Sequence, residues 1–314
     1  MRVLVTGGAG FIGSTLVERL LADGWDVDVV DDLSTGSLPN LADARARRTP
    51  RFTFQRLDIR SAGIVEFMAH RKPEVVFHLA AQPSVTVSVA DPALDADVNV
   101  LGSVRVLEGA RAAGSRKVVF AGSGGTLYGV PRSIPTPERH RQQPIAPYGV
   151  SKKVVIEYLR YYREVHDLEY TVLALANVYG PRQDPYGEAG VVAIFAGKLL
   201  AGQPPTIYGD GKQTRDFVFV DDVADAFARA ADRGGGMVLN VGTGVETSVD
   251  ELYDLMAGVL GVEGTPRYEA PRPGELRRSA LDAAQARQQL GWKPWTSLEE
   301  GVTRTLDWFE AQPP

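Results

Sequence analysis

At 314 residues, 44% hydrophobic and 23% charged, the chain has room for one large α/β domain with a smaller lobe, or for two domains. Its net charge of −5, from 34 Lys and Arg against 39 Asp and Glu, offers nucleic acid no basic field. Cysteine is absent, which excludes disulfides, thiol catalysis and zinc–thiolate sites, and His70, His78, His140 and His166 lack ligand spacing, so no metal is expected. No apolar run reaches the roughly eighteen residues of a membrane span. The first strand begins at residue 2 with no room for a signal peptide, so the expected setting is cytoplasmic.

Arg2 to Val5 reads as a buried strand, followed by a turn carrying Gly7, Gly10 and Gly13, then an apolar helical repeat at Leu16, Val17, Leu20 and Leu21. Strand, glycine turn and helix form the context of a dinucleotide fingerprint, here Gly-x-x-Gly-x-x-Gly. Gly7 permits the turn, Gly10 lets backbone approach a pyrophosphate, and Gly13 lets helix and strand pack closely, with the helix N-terminus facing the anion. A second strand, Asp26 to Val30, ends in Asp31-Asp32, where a carboxylate can bond the adenine-ribose hydroxyls and repel a 2′-phosphate. NAD is therefore expected rather than NADP.

Leu33 to Arg51 reads as a polar loop or short helix. Phe52 to Leu57 is a third strand leading to Asp58, placed to accept from the adenine amino group. Ser61 to His70 is helical. Glu74 to Leu79 is a fourth strand closing in Ala80-Ala81-Gln82, small enough to admit phosphates and ribose. A helix over 93–113 contains Asn99, which either contacts the cofactor or is satisfied by backbone. Lys117 to Ala121, Tyr170 to Ala176 and Met237 to Val241 complete seven strands. Strands alternating with helices, with no two-residue hairpin between them, predict a doubly wound parallel sheet of Rossmann type. The Gly- and Pro-rich stretches after Asn177 predict a smaller substrate lobe interleaved with it. Its expected extent is 177–212 and 244–314, against 1–176 plus about 213–243 for the NAD-binding domain.

Chemistry is expected at the carboxyl ends of the strands. The fifth strand leads into Ser123-Gly124-Gly125-Thr126, and a later helix opens with Tyr148 and, four residues on, Lys152. An ammonium beside a phenol lowers the phenol's pKa and makes it usable as a base, while Ser123 or Thr126 could bond the reacting oxygen. Tyr208 and Lys212 have the same spacing but enclose Gly209-Asp210-Gly211, a turn rather than a helix.

Thr6 to Gly13, His78 to Gln82, the Tyr148–Lys152 pair, Asn177 to Arg182 and Thr214 to Val223 together resemble the extended short-chain dehydrogenases, and among them the NAD-dependent nucleotide-sugar epimerases and dehydratases. The resemblance spans nearly the whole chain. It implies a retained NAD contacted by Gly7, Gly10, Phe11, Ile12, Gly13, Asp31, Asp32, Ser34, Thr35, Gly36, Asp58, Ile59, Leu79, Ala80, Ala81, Gln82, Asn99, Tyr148 and Lys152. It also implies a UDP-hexose epimerised at C4 through a transient 4-keto sugar, with Tyr148 as base. Asn177, Arg215 and Arg272 match phosphate-holding positions, Glu275 a uridine-ribose position, and Ser123, Tyr148, Val191 and Tyr208 fall with the substrate. Homodimerisation through the helices around 93–113 and 148–166 is also implied.

Two departures qualify the match. The family's catalytic Ser or Thr position is Gly124 here, so Ser123 or Thr126 must supply the hydroxyl. Related 4,6-dehydratases and decarboxylases carry an acid in the same turn, and this chain has none, which favours epimerisation. A UDP-glucuronate 4-epimerase, with Arg182 as the extra cation, and a non-catalytic nucleotide sensor remain alternatives. Ser279, a small residue at the pocket's gatekeeper position, would admit a 2-acetamido group.

Overall fold

The computed structural model describes residues 1–47, 49–186, 190–272 and 276–312. Its frame is a seven-stranded parallel sheet: β1 (Arg2–Thr6), β2 (Asp26–Asp31), β3 (Phe52–Arg56), β4 (Val75–His78), β5 (Lys117–Ser123), β6 (Glu169–Leu175) and β7 (Met237–Val241), in the order β3-β2-β1-β4-β5-β6-β7. Chain direction across the sheet reverses between β1 and β4, which opens a crevice at their carboxyl ends. All seven strands expected from the sequence are present, as a sheet covered on both faces requires of its apolar runs.

The period-two alternation of β1 divides the interior. Val3 and Val5 face one core with Leu16, Leu20, Val223, Phe227 and Trp292, whereas Leu4 faces the other with Met68, Leu107, Ile156 and Leu159. Helices Phe11–Ala22 and Val220–Ala230 cover the first face, and Gly63–Arg71, Gly102–Ala113 and Pro147–His166 the second. A third core gathers Tyr179, Phe195, Phe217, Phe219, Leu252, Met256, Val302 and Leu306. Around it lie three short strand pairs: Asn177–Tyr179 with Phe217–Phe219, Thr214–Arg215 with Thr247–Ser248, and Thr206–Tyr208 with Arg267–Glu269. The chain enters this third core after β6, returns to the sheet for β7, and leaves again, so the smaller unit is interleaved as expected.

The helix expected over 93–113 differs in detail. It runs as Pro92–Ala96, a π-helical turn Asp97–Leu101, and Gly102–Ala113. One wide turn in a helix shifts the faces on either side of it, and such turns cluster at functional sites. Here it carries Asn99. Among the described residues no helix is long and apolar enough to cross a membrane, and no group of His, Asp and Glu is placed to hold a metal.

Candidate active site

The glycine turn after β1 is built for close approach. Gly7 has φ +71°, and a Cβ there would lie 2.6 Å from the Ala80 nitrogen; a Cβ on Gly13 would lie 2.0 Å from the Gly7 oxygen. Gly10 caps the helix Phe11–Ala22 without a side-chain bond, and no acidic residue stands in the first turn. The N–H groups of Phe11 and Ile12 therefore open the helix with no acceptor among the described residues. A cradle that side chains would fill, ending in free N–H groups, fits a pyrophosphate.

Asp31 at the end of β2 is fixed rather than free: it accepts from the Ala9 N–H at 2.9 Å and the Leu33 N–H at 2.9 Å. Burial raises its pKa and these two bonds oppose the rise. Asp32 accepts from the Ser34 N–H at 2.8 Å, Ser34 and Thr35 are exposed, and Gly36 abuts the Asp31 carboxylate. Asp58 is gripped by the Arg60 guanidinium, at 2.6 Å to Oδ2, which lowers its pKa and sets its orientation at the crevice rim. The Ile59 side chain belongs to the second core beneath Gly102, leaving only its backbone for a ligand.

The segment after β4 is held from below. The Thr6 hydroxyl accepts from the Ala80 N–H and donates to His78 Nδ1 at 2.7 Å; His78 Nε2–H donates to Ser103 Oγ at 2.8 Å, and that hydroxyl donates to the Asn99 carbonyl at 2.6 Å. The direction of each donor fixes the imidazole tautomer, and burial keeps it neutral by lowering its pKa to about 3. Asn99 is saturated by protein. Its Oδ1 accepts from the Gln82 N–H at 2.8 Å, and its Nδ2 donates to the Gln82 carbonyl at 3.0 Å and to Asp95 at 2.8 Å. Of the two readings for Asn99, the structure shows the side chain engaged with protein, shaping the Ala80–Gln82 wall.

Pro147 opens the helix Pro147–His166 at a position where its missing N–H is no loss, and puts Tyr148 in the first turn. Lys152, one turn on, is 3% exposed; its Nζ lies 5.5 Å from the centre of the Tyr148 ring and 4.7 Å from that of Phe120. It has no hydrogen-bond or ion-pair partner among the described residues. Burial lowers its pKa to about 8, opposed by Asp95, and burial and Asp95 together raise that of Tyr148. A buried ammonium without a partner beside a phenol fits a ligand with ribose hydroxyls and calls for one.

Opposite this helix, Ser123 closes β5 with its hydroxyl unbonded among the described residues and partly exposed, whereas Thr126 Oγ1 is sealed from solvent without a partner. The space a side chain at Gly124 would take is filled by the Leu281 methyls, 2.3 Å from the position of such a Cβ. Leu281 is delivered by Asp216, whose buried carboxylate accepts from the N–H groups of Leu281, Thr243 and Gly244 and the Thr243 hydroxyl. Asp216 thus ties the ends of β5 and β7 to the strand Phe217–Phe219, a role that its place beside Arg215 does not reveal in sequence.

The residues expected at the substrate form a rim on the smaller unit. Arg272 lies over the Tyr208 ring at 4.1 Å, and Arg215 donates to the Thr214 carbonyl at 2.8 Å and the Leu276 carbonyl at 2.9 Å. Asn177 opens its short strand and Val191 opens the helix Val191–Leu200. Arg182 is paired with Glu18 at 2.5 Å and so committed elsewhere than to a uronate. Glu275 lies outside the described residues.

A switch-point crevice with a glycine cradle places the chain in the Rossmann class of dinucleotide-binding proteins. The model of the NAD dependent epimerase/dehydratase family matches residues 3–242, and the chain belongs to that family. It is 54% identical to a UDP-glucose 4-epimerase of Mycolicibacterium smegmatis over 98% of both chains. Two crystal structures are also similar. UDP-glucose 4-epimerase from Thermotoga maritima with UDP-glucose superimposes with a TM-score of 0.94, at 45% identity and 98% coverage of each chain. UDP-glucose 4-epimerase from Thermus thermophilus in complex with NAD does so at 0.91, with 43% identity and 99% coverage of each chain.

Proposed function

We propose that this protein is an NAD-dependent isomerase that interconverts UDP-glucose and UDP-galactose by inverting C4 of the sugar. The Lys152 ammonium buried beside Tyr148 without a partner among the described residues, at the same carboxyl end of the sheet as the glycine cradle, carries the reading, and the identity to proteins named UDP-glucose 4-epimerase supplies the substrate class. NAD would lie along Gly7 to Gly13, Asp31 and the Ala80–Gln82 wall, and supplies a hydride acceptor that returns what it takes. Tyr148 accepts the proton of the 4-hydroxyl and gives it back. Lys152 places an ammonium beside the phenol, where positive charge favours the phenolate, while burial and Asp95 raise the phenol's pKa. Ser123 bonds the reacting oxygen; Arg215, Arg272 and Asn177 hold the diphosphate.

The sheet, 1–176 with about 213–243, carries the cofactor, and 177–212 with 244–314 carry the sugar nucleotide. A dehydratase or decarboxylase reading is disfavoured by the turn itself: Gly124-Gly125-Thr126 contains no carboxylate, and Leu281 fills the space beside Gly124. A homodimer is part of this proposal. Val150, Val154, Tyr158, Tyr161 and Val165 form one stripe on the helix Pro147–His166; all but the partly buried Val154 are exposed, and Leu94 and Leu101 are exposed on the neighbouring helical segment.

The test incubates the purified protein separately with UDP-glucose, UDP-N-acetylglucosamine and UDP-glucuronate, without added NAD, and resolves products by chromatography. Conversion of UDP-glucose to UDP-galactose, lowered at least about 10²-fold in Tyr148→Phe, is expected. A product lighter by water or carbon dioxide overturns the reading in favour of the related chemistries, and no product from any substrate points to a sensor.

A further inference from the structure

Asp95 is a fully buried carboxylate that no step above uses. It sits on the helix Pro92–Ala96, just before the π-helical turn. One oxygen accepts from Asn99 Nδ2 at 2.8 Å and from Gln82 Nε2 at 3.1 Å; the other accepts from Ser151 Oγ at 2.6 Å. Ser151 lies between Tyr148 and Lys152 on the same helix. Three separate elements therefore meet on one charge: the Ala80–Gln82 wall, the π-helical turn and the helix of the Tyr–Lys pair. No cation pairs with Asp95 among the described residues.

A buried carboxylate without a counter-ion is costly to keep, and three hydrogen bonds offset only part of that cost. We propose that Asp95 is a positioning residue for the Tyr148–Lys152 pair. Through Ser151 it fixes the first turn of the catalytic helix against the cofactor wall, and its negative charge, one residue from Lys152 across that bond, favours the protonated form of the lysine. This rests on the reading of Tyr148 and Lys152 given above. Among the described residues the surroundings leave Asp95 as the anion that acts on the pair. His78 is neutral, Asp97 is turned outward to Arg60, Asp91 caps its helix at the surface, and Glu108 bonds Tyr162 toward the far end of the catalytic helix. Burial moves the two groups in opposite directions, lowering the Lys152 pKa and raising that of Tyr148, and Asp95 acts on both in the same sense, opposing the fall of the first and adding to the rise of the second.

Two substitutions separate the two halves of the proposal. Asp95→Asn keeps a side chain able to bond Ser151, Asn99 and Gln82 but removes the charge. The ammonium of Lys152 and the phenol of Tyr148 then lose the anion that favours their protonated forms, so both titrate at lower pH as a coupled pair. Both limbs of the kcat–pH profile should move down by about half a unit or more, with KM changed less than about twofold. Ser151→Ala keeps the charge and cuts the link. It should lower kcat across the pH range by about tenfold, leaving the limbs in place.

The second readout needs no substrate: an ultraviolet difference titration of the holoenzyme, with Tyr148→Phe as the subtraction blank, follows the Tyr148 phenolate. The titration should move to lower pH in Asp95→Asn and stay in Ser151→Ala. An unmoved phenolate in Asp95→Asn overturns the electrostatic half, and wild-type kcat in Ser151→Ala overturns the positioning half. If Asp95→Asn does not fold, Asp95→Glu serves in its place: a retained charge with a displaced link should reproduce the Ser151→Ala profile, and a downward shift of the limbs would overturn the proposal. A wrong sugar assignment shows itself separately, as no turnover of UDP-glucose with a Tyr148 titration that still responds to Asp95.

Discussion

Two hydroxyls at the end of β5 stand within one short turn, and their surroundings differ. Among the described residues Ser123 Oγ is unbonded and partly exposed, while Thr126 Oγ1 is enclosed with nothing to bond. Between them stands Gly124, and Leu281 fills the space a side chain there would take. Ser123→Ala should therefore lower kcat by about 10²-fold with little change in KM, the scale for loss of a hydrogen bond to developing charge. Thr126→Val should leave kcat within about twofold and leave stability unchanged or slightly raised, since it removes an enclosed, unsatisfied hydroxyl. Steady-state kinetics with UDP-glucose and thermal unfolding check both. The choice between these residues was not open to sequence reasoning, because Leu281 reaches Gly124 from the far side of the chain.

The strand–turn–helix of residues 2–22 behaves as one element with no spare volume. A methyl group on Gly13 meets the Gly7 carbonyl, and one on Gly7 meets the backbone at Ala80. Gly13→Ala should cost about 1–3 kcal/mol, the range for overpacking, and lower Tm by several degrees. It should also weaken NAD binding, read by titrating the variant with the dinucleotide. This element was fully legible from its glycine spacing, because its geometry is imposed by neighbours in sequence. The helix over 93–113 was legible only as a helix. Its π-helical turn, the saturation of Asn99 and the burial of Asp95 come from packing against Gln82 and Ser151, which lie respectively 17 residues before Asn99 and 56 after Asp95. The short strands 177–179, 206–208 and 214–215 escaped because two or three residues carry no period.

At the scale of the whole molecule, the helix Pro147–His166 faces both ways. Its inner side buries Lys152 and places Val155, Ile156 and Leu159 in the second core, and its outer side carries the apolar stripe Val150, Val154, Tyr158, Tyr161 and Val165. If that stripe is covered by a second copy, Tyr158→Glu combined with Tyr161→Glu should halve the mass found by sedimentation, with the monomer's secondary structure retained by circular dichroism. A wild-type protein already monomeric at micromolar concentration would refute the dimer. The sequence by itself determined the seven strands, the parallel sheet, the glycine cradle, the acids at the end of β2 and the Tyr148–Lys152 pair, since each depends on local spacing and on apolar runs that must be buried. Tertiary structure alone decided that Arg182 is held by Glu18, that Asp216 brings Leu281 to Gly124, and that Asp95 joins the Ala80–Gln82 wall to the helix Pro147–His166. All three depend on which polar groups the fold brings together out of water: an unpaired polar group there is costly, and partners that meet such a cost can be chosen from anywhere in the chain.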